Sequence, residues 1–177
     1  YYLSKDNLEK TEKLYFDAYR LGSLRSNIKL AEPVLRDSHI LSIDLKSIRT
    51  SDAPAQQLFS PNGLYGEEIC QLCKYAGISN KLSTFGIFEY TPALDVNNLT
   101  AHLIAQMIWY FLDAFCQKKK KKPGQNQNNF TTFVVNNNQI SYPIVFLKSK
   151  ISEKWWMEIP ENTYFNSNGS RNLIIAC

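Results

Sequence analysis

Histidine is nearly missing from this chain: two occur in 177 residues. His39 precedes a short apolar run and His102 sits inside a long one, far away in sequence. That scarcity removes a Ser-His-Asp arrangement or a histidine-rich metal cluster from consideration. Cysteine is scarce too, with four residues unevenly placed, which is no secretory disulfide framework. Cys70 and Cys73 make one Cys-x-x-Cys pair on a predicted helix. Without a second pair or a thioredoxin-like context, two buried core thiols are the simpler reading. No apolar stretch is read as reaching the length of a membrane span. Acidic residues stand early in the chain where a secretory leader would carry its apolar core. No internal repeat is visible. These absences predict a soluble, cytoplasmic protein.

Charge excludes little more. The net charge is +4, and the five lysines Lys118–Lys122 more than account for it. The rest of the chain is near neutral, so charge gives no reason to expect a nucleic-acid surface. What the sequence does have is apolar material, 44% hydrophobic and 13% aromatic residues. A chain of this length and composition can bury one domain's core and is not a disordered segment.

The pattern along the chain predicts alternating helices and strands. Ser4 to Phe16 reads as a helix with Ser4 as its N-cap and Leu8 and Leu14 as its apolar residues, broken at Leu21-Gly22. A second helix is expected over about Ser23 to Arg36, with Leu24, Ile28, Ala31 and Leu35 on one face. Pro33 marks a kink or a fresh first turn. His39 to Leu45 is a short apolar run that reads as a buried strand. Gly66 to Ala76 reads as a helix closed by Gly77. Leu82 to Tyr90 reads as a second strand. Asn98 to Phe115 is a long helix with Leu103, Met107, Ile108, Phe111 and Phe115 apolar. Strand, helix, strand, helix predicts an α/β fold, a parallel sheet with helices on both faces. Residues 1–117 form that domain, 118–129 a Lys/Asn-rich connector, and 130–177 a hairpin and Trp-Trp extension packed on the domain. Within the last part, Phe130 to Val135 and Ile140 to Leu147 flank an asparagine turn. Trp155 and Trp156 read as anchoring this terminal segment on the domain or at a subunit interface. Glu161 to Cys177 is polar and gives no signal.

Several stretches match one family in order and spacing. They are Ser42-Ile-Asp44-Leu-Lys46, Asp52-Ala-Pro54, Asn62-Gly-Leu-Tyr-Gly-Glu67-Glu68, Phe88-Glu89-Tyr-Thr-Pro92-Ala-Leu-Asp95 and Asn98-Leu-Thr100-Ala101. Over about Ala31 to Phe115 the chain resembles the ureohydrolases: arginases, agmatinases and formiminoglutamases. Trp155-Trp-Met-Glu-Ile-Pro160 is similar to an extension in a bacterial arginase-like branch.

The resemblance implies the C-terminal part of a three-layer arginase-like fold. It implies a hydrolase that cleaves C–N bonds of linear guanidino or formimino compounds. In that family two bridged Mn²⁺ ions generate the attacking hydroxide. A small-molecule partner and a homo-oligomer are in keeping with it; a membrane or nucleic acid is not.

By resemblance, Asp44 falls on the first aspartate of the metal-binding strand motif, and Lys46 stands where the second aspartate would be. Glu89 falls on the glutamate that grips the substrate's guanidino or imino nitrogens. A protonated ammonium has no lone pair to donate and repels a cation, so Mn²⁺ is expected to bind this chain weakly or not at all. Without the resemblance, Asp44 reads as an ordinary strand-end carboxylate paired with Lys46, two residues on and on the same side of a strand. Two readings follow: a fragment or degenerate relative of such a hydrolase, or a non-catalytic binding or assembly subunit that keeps the fold.

Overall fold

A computed structural model describes residues 5–14, 16–118, 127–136, 143–159 and 173–176. They divide into two units, Tyr1–Lys118 and Lys119–Cys177. Ser4, most of the lysine run, Asn137, Asn138, Ile140, Pro160 and most of the final stretch lie outside the described residues.

In the first unit the elements are α1 (Lys5–Lys13), α2 (Leu21–Ser26), α3 (Ala31–Asp37), β1 (Ile40–Asp44), α4 (Gly66–Gly77), β2 (Thr84–Phe88) and α5 (Leu99–Gln117). β1 and β2 pair in parallel, from Ile40 opposite Thr84 to Asp44 opposite Phe88. Parallel neighbours need a crossover, and α4 supplies it.

Apolar spacing explains the packing. Ile69, Leu72, Cys73 and Ala76 recur at helical intervals and turn the same side of α4 to the core. There they meet Leu41 and Ile43 of β1 and Leu103 and Met107 of α5. Burying a side chain of this size contributes roughly 1.5–3 kcal/mol. Gly77 lets the two helices approach: a Cβ there would lie 2.9 Å from the Ala114 Cβ and 3.2 Å from the Phe111 carbonyl carbon. Phe85 of β2 adds a ring contact to Phe111, with centroids 4.8 Å apart.

The sequence expectations are corrected in several places. The helix expected over Ser23 to Arg36 is broken at Asn27, whose φ of −154° is not helical. The Asn27 side chain accepts a hydrogen bond from the Lys29 N–H and restarts the chain as a 3₁₀ turn, Ile28–Leu30. Pro33 then falls in the first turn of α3, where its missing N–H costs nothing. Leu24, Ile28, Ala31 and Leu35 still all pack on the core. Gly22 does not break a helix but lies within α2. α1 stops at Lys13, short of Phe16, and Leu14 is exposed.

β1 is not buried on both sides. Leu41 and Ile43 are buried, whereas Ile40, Ser42 and Asp44 are exposed, the alternation of a half-covered strand. Among the described residues, α4 and α5 cover the Leu41/Ile43 face. Ile40, at 65% exposure, and Phe88, at 55%, mark the other. The helix around α5, Val96–Gln117, is by length and composition alone long and apolar enough to cross a membrane, which overturns the expectation that no such stretch exists. Its Leu103 and Met107 side packs into the core.

The second unit is a four-stranded antiparallel sheet in the order β3 (Phe130–Val135), β4 (Ile144–Ser149), β5 (Trp155–Ile159), β6 (Leu173–Ala176). The hairpin is therefore one edge of a larger sheet. The stretch read as uninformative supplies its last strand, from the short apolar run Leu173-Ile174-Ile175-Ala176. Trp155 and Trp156 lie on β5 and pack on rings of β3, Trp155 on Phe133 at 5.1 Å and Trp156 on Phe130 at 5.6 Å between centroids.

Candidate functional site at the carboxyl ends of the parallel strands

β1 ends at Asp44 and β2 at Phe88, in register and in parallel. Asp44 and Glu89 therefore emerge at the same end of the sheet, on adjacent strands. In open α/β folds that end is where ligands gather.

The chain leaves β1 in a tight turn rather than by extension. The Asp44 carboxylate accepts the Lys46 backbone N–H at 2.8 Å, and the Ser47 hydroxyl donates to the Asp44 carbonyl at 2.7 Å. Leu45–Ser47 forms a 3₁₀ turn with Leu45 fully buried beneath it. The expectation that Asp44 and Lys46 share one side of a strand fails, because Lys46 is not on the strand. The turn instead sends the lysine across to the next strand end, where its Nζ lies 2.7 Å from the Glu89 Oε2. The pair is partly open to solvent, with side-chain exposures of 24% for Lys46 and 42% for Glu89.

Glu89 has a φ of 67°, left-handed backbone that disfavours any residue with a Cβ. Such strain concentrates at sites that need a side chain in one direction. The next residues are tied down. The Thr91 N–H donates to the Ala55 carbonyl at 2.9 Å, and the Ala55 N–H donates to the buried Thr100 hydroxyl at 3.0 Å. The Asp52-Ala-Pro54 loop, the β2 exit and the start of α5 are thus held together by two hydrogen bonds.

Asp95 completes the support. Its carboxylate accepts the Thr100 and Ala101 N–H groups of α5 at 2.9 and 3.0 Å and the Tyr90 hydroxyl at 2.9 Å. Desolvation pushes this carboxyl up, but the Thr100, Ala101 and Tyr90 hydrogen bonds outweigh it and hold it below the usual carboxylate range.

On the far side of the loop Asp52 does similar work. It pairs with Arg49 at 2.8 Å and accepts the Gly66 N–H at the start of α4 at 2.8 Å. Desolvation raises its pKa, and Arg49, Gly66 and Ser51 together bring it below the usual range. The Arg25 and Arg49 guanidiniums both lie over the Tyr65 ring, 4.0 and 4.1 Å from its centre. Gly63 fits this loop because a Cβ there would lie 2.7 Å from the Ile48 carbonyl carbon.

Other singled-out residues are elsewhere. His39 and Ser83 adjoin at the opposite end of the strands, through the Ser83 N–H and the His39 carbonyl. His102 lies on α5, one turn in. Cys70 and Cys73 are buried core thiols; burial, with Cys70 close by, pushes Cys73 up to about 12. The positioning roles of Asp95 and Thr100 were not read from the sequence, although both stand in the quoted stretches. Tyr65 also stands in a quoted stretch without its role being legible, and Arg25 carried no signal.

The donors among the described residues do not fit a two-metal centre. Among the described residues no three His, Cys, Asp or Glu side chains converge as metal ligands. Lys46, which the resemblance sets against the second aspartate of the metal motif, has its ammonium bonded to Glu89.

Strand-end carboxylates beside a helix-capping aspartate put the candidate site at the carboxyl edge of a parallel sheet in an α/β protein. Residues 5–113 match the Arginase family, and the chain belongs to it. Over 99 residues it is 28% identical to the formimidoylglutamase of Bacillus subtilis (strain 168), covering 54% of this chain and 31% of that protein. Over 76 residues it is 33% identical to the formimidoylglutamase of Staphylococcus haemolyticus (strain JCSC1435), covering 43% of this chain and 24% of that one. The chain thus spans 24% to 31% of the length of these relatives. The crystal structure of the Bacillus subtilis formimidoylglutamase aligns with a TM-score of 0.59 at 22% identity, over 66% of this chain and 39% of that one. A Trypanosoma cruzi formiminoglutamase crystallised with Mn²⁺ aligns with a TM-score of 0.58 at 18% identity, over 66% and 42%. The arginase fold expected from the sequence is the one these structures share.

Proposed function

We propose that this chain is a formiminoglutamase-like member of the family. It carries the edge of the site that grips a linear amidine and does not itself supply metal-activated hydroxide. The observation that carries the reading is the 2.7 Å contact between the Lys46 Nζ and Glu89. A carboxylate held in left-handed backbone and already bonded to a cation has the direction and charge to receive the N–H groups of a guanidino or formimino compound. The same contact counts against hydrolysis, because Lys46 brings one positive charge and no open coordination position for water.

The test is an assay of the purified chain with N-formimino-L-glutamate and L-arginine, with and without Mn²⁺. No turnover is expected. Mn²⁺-dependent release of formamide or urea that Glu89→Gln abolishes would overturn the non-hydrolytic part of the reading.

A second reading, an assembly subunit that keeps the fold, is favoured by the outer side of α5. Trp109, at 61% exposure, lies there with the exposed side chains Ile108, Leu112 and Phe115, an apolar strip of the kind that subunit contacts cover. Sedimentation of the chain across a concentration series tests it; a monomer throughout would leave the strip without a self-contact role.

A further inference from the structure

Three features of the strand-end site bear on how it would meet a ligand. The Asp44–Ser47 turn is fixed by two hydrogen bonds and aims Lys46 at Glu89 rather than along β1. The left-handed backbone at Glu89 turns that residue out of β2 as the strand ends. The ion pair is closed at 2.7 Å, yet Glu89 is more open to solvent than Lys46. A ligand could therefore reach the carboxylate and would find the lysine already there.

We propose that the Lys46 ammonium is a resident competitor for the amidine cation, occupying Glu89 so that the site is self-filled until the lysine is displaced. This rests on the amidine-gripping reading given above and adds its regulation. A tethered group competes at an effective concentration of about the millimolar range. A free amidine well below that concentration leaves the wild-type pair closed. A planar amidine can present two N–H groups to the carboxylate where the ammonium is a point charge, so removing the lysine should expose a usable site. Lys46 is thus a specificity-determining residue: it sets the ligand concentration at which the edge responds.

The experiment uses the whole chain with glutamate side-chain carboxyl carbons isotopically labelled, followed by NMR. Wild type, K46M, K46R and the double variant K46M/E89Q are titrated with L-arginine and, separately, N-formimino-L-glutamate. The proposal expects K46M to show a saturable shift of the Glu89 carboxyl with an apparent Kd about tenfold or more below that of wild type. K46R, which keeps the cation, should stay with wild type; the double variant has no Glu89 carboxyl to follow, so it is titrated by calorimetry beside K46M and should lose the binding that K46M shows. K46Q serves in place of K46M if the latter fails to fold by circular dichroism. Equal affinities in wild type and K46M would overturn the competitor role and leave the amidine reading standing. Absence of binding in every variant, with K46M folded, would overturn both.

Discussion

The backbone at Glu89 offers a quantitative test, because strain and charge can be removed separately. Glu89 sits at φ 67°, and holding a residue with a Cβ in left-handed geometry costs roughly 1–2 kcal/mol. Glycine escapes that cost but loses about 0.4–1 kcal/mol through its freer unfolded chain. Glu89→Gly should therefore be at least as stable as Glu89→Ala, by up to about 1.6 kcal/mol and by about 0.8 kcal/mol at the middle of the two ranges. Both variants lose the Lys46 contact at 2.7 Å. With both partners partly exposed, that pair is worth roughly 0.2–1 kcal/mol and is screened by salt. Urea denaturation at low and high ionic strength separates the two effects. The Gly–Ala difference should be the same at both, while the loss from wild type to Glu89→Ala should shrink at high salt. Glu89→Ala more stable than Glu89→Gly would refute the left-handed assignment. A salt-independent loss from wild type to Glu89→Ala would refute the ion pair.

Gly77→Val should destabilise the chain by about 1–3 kcal/mol, since its side chain meets the Phe111 backbone and the Ala114 Cβ, which cannot move without parting α4 from α5; denaturant midpoints check this. Asp95 has a folded pKa below its ordinary value, so its stabilising effect is fully present above the ordinary carboxylate range and is lost as pH falls through the lowered folded value. Asp95→Asn should flatten the acid limb of a thermal-stability profile and leave its neutral limb parallel to wild type. In thiol labelling of the native chain near pH 8, Cys116, which is exposed, should react while Cys70 and Cys73, which are buried, stay protected; mass mapping of the labelled peptides reads the result.

How much of this was legible depends on the range of the forces involved. The parallel pair and its crossover follow from local apolar spacing, as in Leu41, Ile43, Ile69, Leu72 and Cys73, so order and topology could be read from the sequence. Asp44 and Glu89 could be placed together because strand ends in a parallel pair must coincide. Lys46 could not be placed correctly, because its position depends on whether the Asp44 side chain takes the Lys46 N–H, a choice that strand periodicity does not contain. The break at Asn27 was missed for the same reason: a side chain competed locally with the helix. β6 was missed because four apolar residues at Leu173–Ala176 form a strand only through pairing with β5. The exposure of Ile40 and Phe88 could not be foreseen, since a short apolar run reads alike whether one face or both are covered.

Lys46 meets the negative charge of Glu89 at the strand ends, and the described residues offer no donor set for Mn²⁺. Dialysis of the purified 177-residue chain against excess Mn²⁺, then against metal-free buffer, followed by elemental analysis, tests it most directly. Far less than one retained ion per chain is expected, in wild type and in Glu89→Gln alike. One or two ions retained per wild-type chain and lost in Asp44→Asn would contradict it.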